Sequence, residues 1–276
     1  MPRLGLLLSP YRNLTTLCCA ALALHPHVQV MNHGFARIED AGGLKFTVDQ
    51  TQENLDYFSD MLVSLSEGGR QGDYGGSIIY SHAFEKAGVK EAYQSMIGDF
   101  QIKQDIKAVV WKDGGRLREY LKQRDISPLV LAEKFPSLCF ISPVRNLLDN
   151  AYGLKKFYET IGLQAYVTPS LPDLEMQSIL RYIVACHYEF WTYARTMPDR
   201  FFMFGENDMG DDVLARLAEF LGVRASGAWT RTAGPLFLSA VHHDHAPEHA
   251  AMLQQIIAEP GAYCAEFLQF IRPLSG

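Results

Sequence analysis

Residues 5–34, GLLLSPYRNLTTLCCAALALHPHVQVMNHG, constrain the fold more than any other stretch of the chain. A short apolar run, Leu4 to Leu8, stops at Ser9-Pro10, and polar residues follow before a second apolar stretch, Leu17 to Leu24, long enough for a helix. A third apolar run begins at Val28. Strand, turn, helix and strand in that order make a βαβ unit, which calls for a parallel sheet with helices on its faces. The turn also carries chemistry. A helix that opens directly behind a strand offers free backbone N–H groups and the positive end of its dipole at one point, which suits a bound phosphate or sulfate. Thr15 and Thr16 add hydroxyl donors and Arg12 a fixed charge with a donor fork. A plainer alternative stays open on spacing alone, in which Thr15 only caps the helix and Arg12 is a surface residue. The triphosphate pattern GxxxxGK[ST] is not present.

The remainder of the chain repeats the alternation. Val28 to Met31, Ala108 to Trp111, Leu138 to Ser142 and Phe201 to Phe204 read as buried strands, and Arg116 to Gln123, Leu147 to Ile161, Leu174 to Thr196 and Asp211 to Leu221 as helices. This pattern predicts an α/β fold: a doubly wound, mainly parallel sheet flanked by helices. Gly42 to Gly43 and the segment 68–76, GGRQGDYGG, read as loops, the second either mobile or facing a ligand. With no repeat and no Pro/Ser linker to divide it, the sequence reads as one domain over residues 1–276.

Composition excludes several classes. Hydrophobic residues at 48% and charged residues at 20% are those of a globular protein. A formal net charge of −6 argues against a general electrostatic grip on nucleic acid. The five cysteines, Cys18, Cys19, Cys139, Cys186 and Cys264, lie among apolar residues without ligand spacing, and read as reduced core residues of a cytoplasmic protein. The start MPRLGLLL imitates a secretory signal, but Arg12 and Asn13 interrupt it, and no run reaches the roughly 18 to 20 apolar residues of a membrane span.

Three stretches, in order, resemble the sulfotransferases that use 3′-phosphoadenosine 5′-phosphosulfate. Arg12-Asn13-Leu14-Thr15-Thr16-Leu17, followed by His25-Pro26 and VQVMN, is similar to that family's opening strand, Arg/Lys-Ser-Gly-Thr-Thr-Leu turn, helix and second strand. KFPSLCFISPVRNLLDNAYG, residues 134–153, is similar to the segment whose Arg and Ser bind the 3′-phosphate, and PDRFFMFGENDMGDDVLARLAEFLGV, residues 198–223, to the family's strand, Glu-Asp turn and Leu-x-x-x-Phe-Leu-Gly-Val helix. The resemblance implies a P-loop-like sulfotransferase architecture with the phosphosulfate as donor. It puts residues Arg12, Asn13, Leu14, Thr15, Thr16 and Leu17 at the 5′-phosphate, and Arg145 with Gly153 at the 3′-phosphate. Three departures fall on these contacts. The family's loop glycine matches Leu14, whose side chain is expected to narrow the approach of the phosphate. The proline after Arg145-Asn146 becomes Leu147, and the family's serine becomes Gly153, which removes a hydroxyl donor.

The implied reaction moves a sulfuryl group to a hydroxyl or amine of a carbohydrate or small-molecule acceptor, with Arg12 stabilising charge on the leaving side. His33, just after the second strand, is the first candidate for general base, because an imidazole titrates near neutrality. Asp113, beside Lys112 in AVVWKDGG, is a second, and His82 in IIYSHAF is expected to line the acceptor side. His187 reads as helix packing. The cluster His242, His243, Asp244, His245 and His249 holds side chains that could bind zinc or another transition metal, but it matches no compact structural spacing, so no metal is expected; it reads as a polar loop leading into the helix from Pro247 or, alternatively, as a cover over the acceptor pocket. Two other readings stay open: a non-catalytic binding or scaffold protein on the same fold, and a transferase that uses a different anionic donor.

Overall fold

The first apolar run forms β1 (Arg3–Leu7), an inner strand of a six-stranded sheet in a computed structural model of the chain. The structure describes residues 1–67, 75–86, 88–99, 102–162, 171–237, 240 and 242–275. Around β1 stand β2 (Val28–His33), β3 (Gly75–Ser77), β4 (Ala108–Lys112), β5 (Leu138–Val144) and β6 (Phe201–Gly205), in the order β3-β2-β4-β1-β5-β6. All neighbours pair parallel except β3, which runs antiparallel to β2 at the edge. The predicted doubly wound, mainly parallel sheet is therefore present.

Strand periodicity sorts the core onto two faces. Leu7, Val28, Val30, Ala108, Val110 and Ile141 point into one apolar layer, and Leu4, Leu6, Met31, Val109, Trp111 and Phe140 into the other. The helices in chain order are α1 (Thr15–Ala23), α2 (Phe35–Asp40), α3 (Gln52–Ser66), α4 (Val89–Ile97), α5 (Gly114–Gln123), α6 (Pro128–Lys134), α7 (Leu147–Ile161), α8 (Met176–Thr196), α9 (Asp211–Phe220), α10 (Gly227–Phe237), α11 (Pro247–Ile257) and α12 (Ala265–Ile271). Helix α1 is buried from Leu17 to Ala23, because it lies between the sheet and α10, whose Trp229 donates its indole N–H to the Ala21 carbonyl at 2.9 Å. A third apolar layer, built from α7, α8, α11 and α12, covers the end of β5.

Several elements differ from the expectation. Gly75 and Gly76, read as loop, form the edge strand β3, while the rest of that predicted loop, 68–74, lies outside the described residues. Glycine is needed at 75 because a Cβ there would come to 3.0 Å from Gly34 Cα, in the turn after β2. Helix α5 starts two residues earlier than Arg116, at Gly114. None of the five cysteines is paired; four are buried, and Cys264 is only half-buried. Among the described residues, no helix is long and apolar enough to cross a membrane.

Candidate active site

All five parallel strands end at the same edge, where the crevice outside their carboxyl ends is the usual ligand site of such a sheet. The turn from β1 to α1 is bent twice into the left-handed region, with φ of 64° at Arg12 and 59° at Leu14. Such alternation turns successive backbone N–H groups towards one point, a nest for an anion. Leu14 is the N-cap of α1 and its side chain bonds nothing there, so the first-turn amides are not capped by it. Its side chain is 9% exposed and joins the core with Leu17 and Cys18. The expected narrowing is thus absent: the backbone takes the conformation that a glycine would, and the leucine points into the core. Thr15 and Thr16 are half-buried at the helix start, and Leu17 is buried.

Two buried amides pin this turn. The Asn13 side chain donates to the Pro143 carbonyl and accepts from the Arg145 N–H at 2.8 Å, tying the turn to the end of β5. Asn150 Nδ2 donates to the Tyr11 carbonyl at 2.7 Å. The Asn13 side chain is therefore occupied by the fold, and only its backbone faces the nest.

Helix α7 presents Asn146, Asp149, Asn150 and Gly153 at i, i+3, i+4 and i+7, one face of the helix. Asn146 caps the helix by accepting from the Leu148 and Asp149 N–H groups at 3.0 and 3.1 Å. Gly153 lies between two arginines: a Cβ there would meet Arg12 Cβ at 3.3 Å and Arg145 Nη1 at 3.6 Å. Arg145 is buried, and burial holds its pKa down; the charges of Asp149 and Glu206 oppose that, and the nearby Arg12 adds to it.

On the other side of the turn lies a second cluster. His33, the last residue of β2, has φ of 58°, and its carbonyl accepts from Trp111 Nε1 at 2.8 Å. Its Nε2 is 2.8 Å from Lys112 Nζ and its Nδ1 is 3.6 Å from Asp113 Oδ1. The ammonium can only donate, so Nε2 accepts and the ring proton sits on Nδ1, towards the carboxylate. Burial, then the charge of Lys112, lowers the His33 pKa, with Asp113 opposing. Burial also brings Lys112 down to about 8. Asp113 is itself buried, and Oδ2 accepts from the Phe35 N–H at 3.2 Å. It stands behind the imidazole. His82 is exposed, and its pKa is lowered by partial desolvation and by the charges of Lys112 and Arg12. The field of Arg12 is thus felt at Lys112 and His82 on one side and at Arg145 on the other.

The predicted residues Arg12, Asn13, Leu14, Thr15, Thr16, Leu17, Arg145 and Gly153 form one half of this edge, and His33, Asp113 and His82 the other. Gly114 and Gly115, whose role the sequence did not disclose, bring the halves together. A Cβ on Gly114 would be 2.8 Å from the Leu7 carbonyl oxygen, and one on Gly115 would be 2.7 Å from the Tyr11 ring. Asp149 and Glu206 were also missed. His187 is fully buried on α8, and burial lowers its pKa to about 3, in keeping with a neutral packing residue.

No protein-family model matches the sequence, and neither does any curated protein. Solved structures similar to the chain include the sulfotransferase STF9 from Mycobacterium avium, at 14% identity and a TM-score of 0.46, covering 97% of this chain and 76% of that one. The sulfotransferase domain of the Synechococcus PCC 7002 olefin synthase has 16% identity and a TM-score of 0.39, with 100% and 95% covered. The sulfotransferase domain of the curacin biosynthetic pathway has 12% identity and a TM-score of 0.40, with 100% and 98% covered.

Proposed function

We infer that the chain is a sulfotransferase-type enzyme that moves a sulfuryl group from 3′-phosphoadenosine 5′-phosphosulfate to a hydroxyl or amine of a carbohydrate or small-molecule acceptor. The observation that carries this reading is the position of Arg12, next to Gly153 and Arg145 on one side and within electrostatic range of Lys112 on the other. In this reading the nest, Thr15 and Thr16 hold the 5′-phosphate and Arg145 the 3′-phosphate. Arg12 neutralises charge that develops on the bridging oxygen. The acceptor oxygen or nitrogen forms a bond to sulfur as the bond from sulfur to that bridging oxygen breaks; His33 Nε2 takes the acceptor's proton, and adenosine 3′,5′-bisphosphate leaves. Since Lys112 donates to the same nitrogen, its ammonium must first turn away, and the growing charge on the leaving oxygen supplies its new acceptor. Asp113 fixes the His33 tautomer from the Nδ1 side.

Single-turnover transfer of labelled sulfuryl tests these roles. Arg12→Ala and His33→Ala are each expected to slow the chemical step by about 10²-fold or more, while thermal melting moves little. Transfer at the parent rate in His33→Ala would remove His33 as base. Gly153 favours a second reading, a transferase for a different anionic donor, because a glycine at this position brings no hydroxyl to the side of Arg145.

A further inference from the structure

We propose that Asp149, Glu206 and His242 form a binding site for one divalent transition-metal ion of the zinc class. The three come from α7, the turn after β6, and the segment before α11, so their sequence separation hides them. One ligand atom from each lies within 4.8 Å of the others. Ligands about 2.1 Å from a tetrahedral zinc ion stand about 3.4 Å apart, so a closure of up to about 1.4 Å completes the site.

The surroundings fit a prepared donor set. Asp149 is fully buried, and Oδ1 is held by the His243 N–H at 2.7 Å and His245 Nε2 at 3.0 Å, which leaves Oδ2 facing His242 Nδ1 at 2.8 Å. Glu206 is held the same way: Oε2 accepts from the Asn146 N–H at 2.7 Å, and the buried Oε1 has no hydrogen-bond partner. Each carboxylate thus has one oxygen fixed by an outer donor and the other directed inward, the pattern that orients metal-ligating carboxylates. One imidazole with two carboxylates suits zinc and its neighbours better than calcium or magnesium, which favour all-oxygen shells. The two carboxylates bring negative charge to the site, opposed in part by the nearby Arg145. His242 is exposed, which gives the ion an entry path, and three protein ligands leave a fourth position for water. Tyr152, one turn along α7 from Asp149, steadies the segment by bonding His249 Nδ1 at 2.7 Å and the Ala246 N–H at 3.0 Å.

The test is a competition titration of Zn²⁺ between a chromogenic chelator and the full chain without an affinity tag. The expected result is one ion per chain, with affinity reduced tenfold or more by both His242→Ala and Glu206→Gln, and within twofold of the parent in His243→Ala and His249→Ala. Absence of stoichiometric binding overturns the proposal, as does any pattern in which Glu206→Gln leaves the affinity within twofold, which would mean chelation by surface imidazoles alone. Should the glutamine variant fail to fold, X-ray absorption of the zinc-loaded parent decides. A first shell of one or two imidazoles with oxygen supports the site, and three or more imidazoles overturn it.

Discussion

Replacing Leu14 with glycine sets two opposing effects against each other. At φ of 59°, Leu14 occupies the left-handed region, which costs about 1 to 2 kcal/mol for a residue with a Cβ; glycine relieves that. Against this, the leucine side chain is buried in the core, and deleting a buried leucine back to Cβ costs about 2 to 5 kcal/mol. Glycine also adds about 0.4 to 1 kcal/mol by loosening the unfolded chain. Burial wins, so Leu14→Gly is expected to lose about 0.5 to 5 kcal/mol of stability in urea unfolding followed by tryptophan fluorescence. Because the side chain points away from the nest, affinity for adenosine 3′,5′-bisphosphate should stay within about threefold when measured well below the unfolding transition. A variant more stable than the parent, or one that binds tenfold more tightly, would refute this reasoning and show that the leucine obstructs the anion.

The rate of transfer should show a bell-shaped pH profile, with an acid limb below the ordinary histidine value, because burial favours neutral His33, and an alkaline limb near 8 as Lys112 loses its charge. Lys112→Arg should move the alkaline limb beyond pH 10, and an unmoved limb would exclude Lys112 as its source. Gly153→Ser places a hydroxyl beside Arg145 at the expense of a small shift of the exposed Arg12; calorimetry should register a two- to tenfold gain in bisphosphate affinity, and a loss would mean that the serine closes the site. Asn13→Ala strips partners from the buried Pro143 carbonyl and Arg145 N–H, for a loss of about 2 to 5 kcal/mol in urea unfolding. A loss under about 0.5 kcal/mol would show that the turn does not depend on this clamp.

Much of the architecture is legible because the strands are buried on both faces. Ala108 to Trp111 and Leu138 to Ile141 present unbroken apolar runs that few other elements tolerate. The edge strand Gly75–Ser77 carries no such signal, since it consists of two glycines and a serine and exists only by pairing with β2. At the site, Arg12, the two threonines and Arg145 are visible as polar groups that interrupt apolar runs at strand ends. The conformation of Leu14 is not, because leucine seldom adopts positive φ and only the pinning of Asn13 and Asn150 holds it there. Asp149 and Glu206 escaped notice because acidic residues in a first turn or a strand-end turn ordinarily read as dipole compensation. The signal that was available for Asp149 is the series Asn146, Asp149, Asn150 and Gly153, which falls on one face at the start of α7.

The most direct measurement is calorimetric titration of the purified chain with adenosine 3′,5′-bisphosphate and, separately, with adenosine 5′-phosphate. The bisphosphate is expected to bind at least tenfold more tightly, and Arg145→Met to abolish the difference, since Arg145 is the charge assigned to the 3′-phosphate. Equal affinity for the two nucleotides, or no binding of either, would contradict the assignment of this crevice to the phosphosulfate donor.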